Sequence, residues 1–501
     1  MTGEEADLVA FGDYNDFPRP GVATSDIEPD PDFDKFIEEY DPRPHKGKGR
    51  DKSFATETGF HLTDLGNAKR LVARHGNRLH YCHSRKKWLL YDGTRWKWDD
   101  SGEVLRLAKD TVASIYQEAA QAADTDTRKQ LAAHAARSES EARLQAMVSL
   151  AQSEEGIPVT PAQLDVDTFK MNVRNGTLDL LTGLLLPHDP ADLITKMAPV
   201  TVDPDATAQG WYAFLYRIMG GNENLIRFLR RFFGYAMTGS TAEQCLCLGH
   251  GTGANGKTTL IETAASILGD YAATADFSTF ALRGPDTIRN DLARLQGARL
   301  VTAIEAADGV RFDEVTIKRL TGGDTIAARF LYGEYFEFKP QFKLFLAANH
   351  KPRIKGTDHA IWRRIRLIPF NVTIPDEEQD KRLPEKLLTE APGILNWMIE
   401  GCLTWRREGL GIPEEVRTAT ALYRDEEDPL SDFLADCCIT GKTLTATAYD
   451  LYAAYLRWAQ ENGERPLSQK SFGGRLTERG FDHYRTGAKR KWFGLGLRAV
   501  G

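Results

Sequence analysis

No run of eighteen apolar residues occurs in the 501-residue chain, so no membrane-spanning helix is expected. The first residues are acidic, with no basic-then-apolar leader, and no secretion signal is expected either. Cysteine is sparse. Cys82, Cys245, Cys247, Cys402, Cys437 and Cys438 show no paired C-x-x-C spacing, which excludes a zinc-ribbon pattern and points to a reducing cytoplasm. Uniform charge is missing too. The net charge is −7, but residues 1–44 hold 13 Asp/Glu against 3 Lys/Arg, whereas residues 465–501 hold 9 Lys/Arg against 2 Asp/Glu. The chain has an acidic head, a near-neutral body and a basic tail. Asp30, Asp32 and Asp34 in the head lack the apolar strand on which a two-metal polymerase or primase site is built.

With 42% apolar residues, the chain can build two to four domains with cores. Its centre is residues 245–268, CLCLGHGTGANGKTTLIETAASIL. An apolar run enters a glycine turn, GTGANGKT, that fits G-x-x-x-x-G-K-[ST], and a helix-competent segment follows. Glycines let backbone N–H groups turn inward around phosphate oxygens, and the helix start adds partial positive charge. Gly251, Thr252, Gly253, Ala254, Asn255, Gly256, Lys257, Thr258 and Thr259 are therefore candidate ATP contacts. Lys257 is assigned to the β/γ-phosphates and Thr258 to Mg²⁺.

On either side the pattern is mixed. Residues 61–98 read as a helix and a hairpin turning at Asp92-Gly93. There Arg85, Lys86, Lys87, Arg95 and Lys97 interleave with Trp88, Trp96 and Trp98, which suits a single-strand surface but fits a small sheet with a tryptophan core better. Residues 104–153 read as a pair of helices broken near Asp124, residues 171–189 as two short strands, and residues 211–238 as amphipathic and helical. Downstream, RLVTAIE (299–305) is an apolar strand ending in Glu305, a candidate for holding Mg²⁺ or polarising water. The strand at 342–348 ends in Asn349, either a γ-phosphate sensor or a turn cap. WRRIRLIPF (362–370) sets Arg363 and Arg364 before a further strand, as a cation for a neighbour's nucleotide or as an intrachain ion pair. Residues 428–501 read as two helices and a two-stranded wing. Lys470, Arg475, Lys489, Arg490 and Lys491, with Ser468, are candidate DNA-phosphate contacts; a solvated basic face or a protein-docking module is the alternative.

Taken together, GTGANGKT, NDLARLQGARLVTAIE, IKRLTGGDTIAARFLY, FKLFLAANHKPRIKGTD and IWRRIRLIPF resemble a superfamily 3 helicase domain. The likeness is to the AAA+ class, in the phage and plasmid replication primase–helicase family that includes the poxvirus-type proteins, and runs from about residue 60 to the C-terminus. It implies an α/β fold: an AAA+ P-loop core with a parallel sheet, preceded by a mainly helical α+β domain and followed by a winged helix. The expected divisions are 1–53 (disordered or a tether), 54–205 (helicase-associated domain), 206–375 (ATPase), 376–427 (helical linker) and 428–501 (winged helix). The resemblance makes Glu305 the Walker B acid, alone or with Asp308, Asn349 the sensor, and Arg364 the preferred arginine finger with Arg363 as its rival. Arg329 and Tyr332 would meet DNA at a hairpin. A homo-oligomeric, hexameric ring moving 3′ to 5′ on single-stranded or forked DNA is implied, in a bacterial host cytoplasm, with any primase or polymerase as a separate partner. An ATP-gated DNA-binding adaptor that recruits a host primase or helicase without unwinding is the alternative.

Overall fold

The computed structural model describes residues 60–282, 290–304, 309–330, 335–354, 359–427, 430–463, 466–486 and 489–498. The acidic head, Glu305, Asp308, Tyr332 and the side chain of Lys489 lie outside the described residues.

Thr63 caps helix α1 (Asp64–His75) by accepting from the Gly66 N–H, and the apolar spacing turns Ala68 and Leu71 fully inward. Strands β1 (Leu79–Cys82), β2 (Lys87–Tyr91) and β3 (Trp96–Trp98) form an antiparallel sheet. Trp88 and Trp96 are core, as expected, while Trp98 is half-buried with the Arg85 guanidinium 5.2 Å from its ring centroid. Three helices follow where a pair is expected: α2 (Glu103–Gln121), α3 (Thr125–Ser138) and α4 (Glu141–Ala151). Asp124 caps α3 and is visible in the sequence; the second break, at Ser140, has no side-chain cap and little to announce it.

A meander of β4 (Lys170–Val173), β5 (Gly176–Asp179) and β6 (Leu185–Leu186) comes next. The helical stretch expected over 211–238 consists of two helices, α5 (Gln209–Ile218) and α6 (Glu223–Met237). Gly220 and Gly221 take φ of 61° and 74° between them, and Asn222 caps α6.

The central sheet is built from β7 (Leu246–His250), helix α7 (Lys257–Leu268), β8 (Ala272–Thr274), helix α8 (Asn290–Ala293) and β9 (Leu300–Ile304). Helix α9 (Glu314–Gly322), the antiparallel hairpin β10 (Ile326–Arg329) and β11 (Tyr335–Phe338), β12 (Lys343–Ala348), α10 (His359–Trp362) and β13 (Ile365–Pro369) complete this stretch. Five strands lie parallel in the order β13-β7-β12-β9-β8. β7 and β12 are buried on both faces and read as continuous apolar runs, as covered parallel strands do. Because all five strands run one way, the residues after β7, β9 and β12 emerge along a single edge.

Residues 376–427 are not a linker. They form α11 (Leu383–Thr389), α12 (Ala391–Glu408) and α13 (Glu414–Glu426), and Ile394, Leu395, Met398, Cys402 and Trp405 share one core with α5, α6 and α7. Met171, Val173, Leu178 and Leu180 of the meander enter that core as well, so a division at 205 cuts through a packed unit. Two buried cations pin it together. Arg299 donates to the carbonyls of Met237 (2.8 Å) and Lys170 (2.7 Å), and Lys343 to those of Thr238 and Ser240, at the carboxyl end of α6. The helix dipole favours positive charge there, although burial pushes the Lys343 ammonium well below its usual pKa.

The C-terminal module runs α14 (Ser431–Cys437), β14 (Cys438–Thr447), α15 (Ala448–Glu461), α16 (Gln469–Glu478), β15 (His483–Thr486) and β16 (Lys489–Leu497), with sheet order β14-β16-β15. β14 is absent from the sequence expectation. It is an edge strand in which only Cys438 and Ala446 are buried, so it lacks an apolar signature.

Helices α6 and α12 touch backbone to backbone at Gly234, where a methyl group would collide with the Cys402 nitrogen and the Gly401 carbonyl carbon. Gly234→Ala is therefore expected to lower stability by about 1–3 kcal/mol or more in denaturant unfolding. Gly474→Ala in α16 meets nothing within 4 Å. It is expected to be neutral or stabilising by up to about 1 kcal/mol in the same assay.

Candidate active site

Where β7 ends, residues 251–256 turn the chain into α7. Gly253 and Gly256 adopt φ of 105° and 76°, a left-handed backbone that a side chain would strain. A Cβ on Gly256 would also press on Phe214 and Ile218 of α5. The twelve-residue helix α7 starts with no acid in its first turn, so its N-terminal partial charge is uncompensated from within the helix. The loop opens on a cavity of about 650 Å³, lined by Gly253, Lys257, Thr258 and Asn349 and also by Phe214 and Ile374.

Lys257 is only 5% exposed. Its Nζ donates to Gly251 O (2.7 Å), Asn255 Oδ1 (2.8 Å) and Asn349 Oδ1 (3.2 Å), all neutral oxygens. Burial lowers its pKa to about 8. The cation is thus oriented but not neutralised by its hydrogen-bond partners, and an anionic group in the cavity would fit it. Thr252, Ala254 and Thr258 are exposed, Thr259 half-buried, and Asn255 buried as the holder of Lys257. Ile304, the last residue of β9, lines the same cavity, and Asn349 follows β12 directly. The topology thus brings the loop, Asn349 and the end of β9 together. Among the described residues no group of three or more His, Cys, Asp or Glu could hold a metal ion.

The rest of the lining is missing from the sequence reading. Phe214 and Arg217 come from α5, and Glu378, Gln379, Asp380 and Lys381 from the turn after β13. Arg217 pairs with Glu378, tying the two sides. These residues stand about forty positions before and a hundred and twenty after the loop, with no fixed spacing to reveal them.

The two arginines need a correction. Arg364, the preferred finger, is 7% exposed and committed to its own chain: Nε to Thr321 Oγ1 (3.1 Å), Nη1 to Ala360 O (2.6 Å) and Nη2 toward Gln244 Oε1 (3.5 Å). Arg363 is exposed, with Nη2 2.9 Å from Gln244 Oε1. Both lie in the turn between α10 and β13, and that turn buries Arg364 while leaving Arg363 outward.

The candidate DNA contacts divide similarly. Half-buried Arg329 lies 4.9 Å from the centroid of the exposed Tyr335 ring, and Phe330, 48% exposed, stacks on Phe336. These two exposed aromatics flank the tip and were not singled out in the sequence. In the tail, Lys470 and Arg490 are exposed, Lys491 is half-buried, and Arg490 leans on His483 and Trp492. Arg475 is 8% exposed and sits inside the module, so it is not a surface phosphate contact. Ser468 is spent as the cap of α16, accepting from the Ser471 N–H.

Comparison with known families bears on this arrangement. Residues 68–220 match the "D5 N terminal like" family, and residues 425–493 the "Poxvirus D5 protein-like" family. The chain is D5-like. Between those matches, residues 249–364 match a family of unknown function, DUF5906, which takes in the glycine loop, Asn349 and both arginines. Among relatives of this D5-like chain is "Putative helicase L207/L206" of Acanthamoeba polyphaga mimivirus, 29% identical over 326 residues, covering 60% of this chain and 34% of that one. "Putative helicase 022R" of Frog virus 3 is 29% identical over 301 residues, covering 54% and 31%. The D5-like chain therefore spans about a third of the length of the curated relatives it matches. The apo structure of the NrS-1 C-terminal region aligns with 88% of this chain and 100% of that one at 10% identity, with a TM-score of 0.49.

Proposed function

We propose that this D5-like chain is an ATP-driven DNA helicase motor of a replicating element, built on an AAA+ P-loop core with a winged-helix C-terminal module. The observation that carries the reading is Lys257: a buried ammonium, held by three neutral oxygens at the mouth of a glycine loop that opens on a nucleotide-sized cavity. Backbone N–H groups of residues 251–256 and the start of α7 would take the phosphates, Thr258 and Glu305 would hold Mg²⁺, and Asn349 would sense the terminal phosphate. Mg²⁺, when bound, neutralises charge on the phosphate oxygens. Phe214 and Ile374 offer an apolar wall for the base. The relatives named as helicases and the exposed aromatics beside the β10–β11 tip support single-stranded DNA as the substrate. The helix–strand–helix–helix–hairpin order of the tail, with Lys470 and Arg490 exposed, supports duplex contact during loading.

The direct test is ATP hydrolysis and forked-duplex unwinding by the purified chain. Hydrolysis stimulated by single-stranded DNA, with strand separation, is expected. ATP-dependent assembly and DNA binding without any strand separation would instead select the adaptor role.

A pH effect follows from Lys257. Its folded pKa of about 8 is depressed by burial, so the ligand-free site loses its charge as pH rises through 8. Bound phosphate favours the charged form and raises that pKa. Nucleotide binding at pH 9 should therefore take up close to one proton, and binding at pH 6.5 almost none from this group. Calorimetry in buffers of different ionisation enthalpy measures the difference. Affinity should fall up to about tenfold per pH unit above 8.

A further inference from the structure

We propose that the carboxyl end of α13 braces the nucleotide site: Tyr423 and Glu427 are positioning residues that hold residues 352–354 and so keep Asn349 at Lys257. The proposal rests on the ATP-hydrolysis reading above and gives two residues of a helix outside the central sheet a part in it.

Asn349 follows β12 directly and is exposed, with its Oδ1 accepting from Lys257 at 3.2 Å. The chain just beyond it is held on two sides. Lys351 Nζ pairs with both Glu426 oxygens, at 2.9 and 2.6 Å, and lies 5.6 Å from the centroid of the Tyr423 ring. The Tyr423 hydroxyl donates to the Pro352 carbonyl, and the Ile354 N–H donates to Glu427 Oε2 at 2.8 Å. Tyr423 and Ile354 are buried in one core with Leu346 and Ala348 of β12, and Tyr423 meets Trp362 edge to face at 5.1 Å. On the other side, the Arg353 N–H donates to the Val310 carbonyl (2.8 Å) and its own carbonyl accepts from Phe312 (3.0 Å). Lys351, the first anchored residue, stands two positions past Asn349. Two residues span at most about 7 Å, so a shift of the anchors passes to the asparagine.

Fastening α13 to the core does not require these groups. Thr420 already ties the helix to β13 by accepting the Leu367 N–H at 3.0 Å, and Val416 is fully buried. Yet the helix closes on Asp425, Glu426 and Glu427. Carboxylates at a helix C-terminus oppose its dipole, and neighbouring ones repel each other. Burial, with Glu426 beside it, holds the Glu427 carboxyl above its usual pKa despite the Ile354 N–H. Acids that are unfavourable for their own helix suit the loop after Asn349, which carries Lys351 and Arg353. The brace also stands close to the glycine loop. Burial lowers the pKa of His250, the last residue of β7; Lys351 and Lys257 lower it further, and Glu426 opposes them.

ATP hydrolysis by the full chain tests this, with every rate counted per folded molecule from thermal melts. Glu427→Ala and Tyr423→Phe should each lower kcat about tenfold through the displaced Asn349. KM should stay within about twofold, because Gly251 and Asn255 still hold Lys257. Glu427→Gln keeps an oxygen for the Ile354 N–H and should retain at least about half of the wild-type kcat. Asn349→Ala should lower kcat by about 10–100-fold. In that background neither brace substitution should lower it further, since a brace that acts through Asn349 has nothing left to place. Wild-type kcat in Glu427→Ala or in Asn349→Ala would overturn the proposal. So would a Glu427→Gln chain as slow as the alanine variant, or a brace effect of full size in the Asn349→Ala background. A wild type that hydrolyses no ATP defeats the ATPase reading and this proposal with it, whereas wild-type hydrolysis beside any of those results defeats this proposal alone.

Discussion

Lys257→Ala is expected to reduce ATP hydrolysis by at least about 10²–10³-fold in kcat/KM, and unwinding with it, because a preorganised cation in a dry site is lost. The effect should be large because the side chain is already in place before nucleotide arrives: three hydrogen bonds fix its Nζ, so binding costs little side-chain ordering. The free protein should remain folded. The alanine variant abandons three oxygen acceptors but also removes a desolvated charge, and the two effects oppose each other. Ligand-induced stabilisation separates site loss from unfolding. Wild type at about a hundredfold excess of ATP over Kd should gain near 2.7 kcal/mol, and the variant nearly nothing. Lys257→Arg is not a conservative rescue, since a planar fork cannot meet three converging acceptors as an ammonium does. A variant that keeps a tenth or more of wild-type hydrolysis would sink the assignment of Lys257.

What could be read in advance followed the strength of local chemistry. The glycine loop, the apolar strands around it and Asn349 after β12 are written in contiguous residues, since each depends on backbone conformation or on continuous burial. The tryptophans of β2 and β3 were legible for the same reason. Failures came where a long-range contact decided. Residues 376–427 look like a helical tether because nothing in their own sequence shows that Gly401 meets Arg230 and Gly234 meets Cys402. Within 211–238 the helical periodicity was legible, and Gly220-Gly221 divides it into two helices. Arg475 carries the charge of a phosphate contact, but the register of α16 turns it inward beside Phe472 and Leu476. The rest of the cavity's lining depends on how α5 and the turn after β13 come together, which no motif records.

The order of the two arginines turns on one residue of register, and it yields the second large effect. Arg363→Ala should lower hydrolysis by ~10³–10⁵-fold, the range seen when an arginine supplied to the transition state is removed. Being exposed, it should cost little stability and leave nucleotide binding almost unchanged. Arg364→Ala should behave the other way. It strips donors from Thr321, Ala360 and Gln244 in a buried setting, and is expected to cost about 2–4 kcal/mol in unfolding while sparing hydrolysis per folded molecule. Arg363 follows Trp362 and precedes Ile365, which pairs with Leu246 at the start of β7, whereas the glycine loop follows His250 at its other end. Arg363 is thus remote from its own Lys257 and serves a nucleotide only if a second subunit presents one. Mixing Arg363→Ala with Lys257→Ala distinguishes these cases. Each variant is inactive alone, but in random co-assembly about a quarter of the contacts combine an intact loop with an intact Arg363 from the neighbour. Hydrolysis recovering toward that fraction, at concentrations where the chain assembles, places the arginine in trans. No recovery, with co-assembly shown by sedimentation, returns Arg363 to a role within its own subunit.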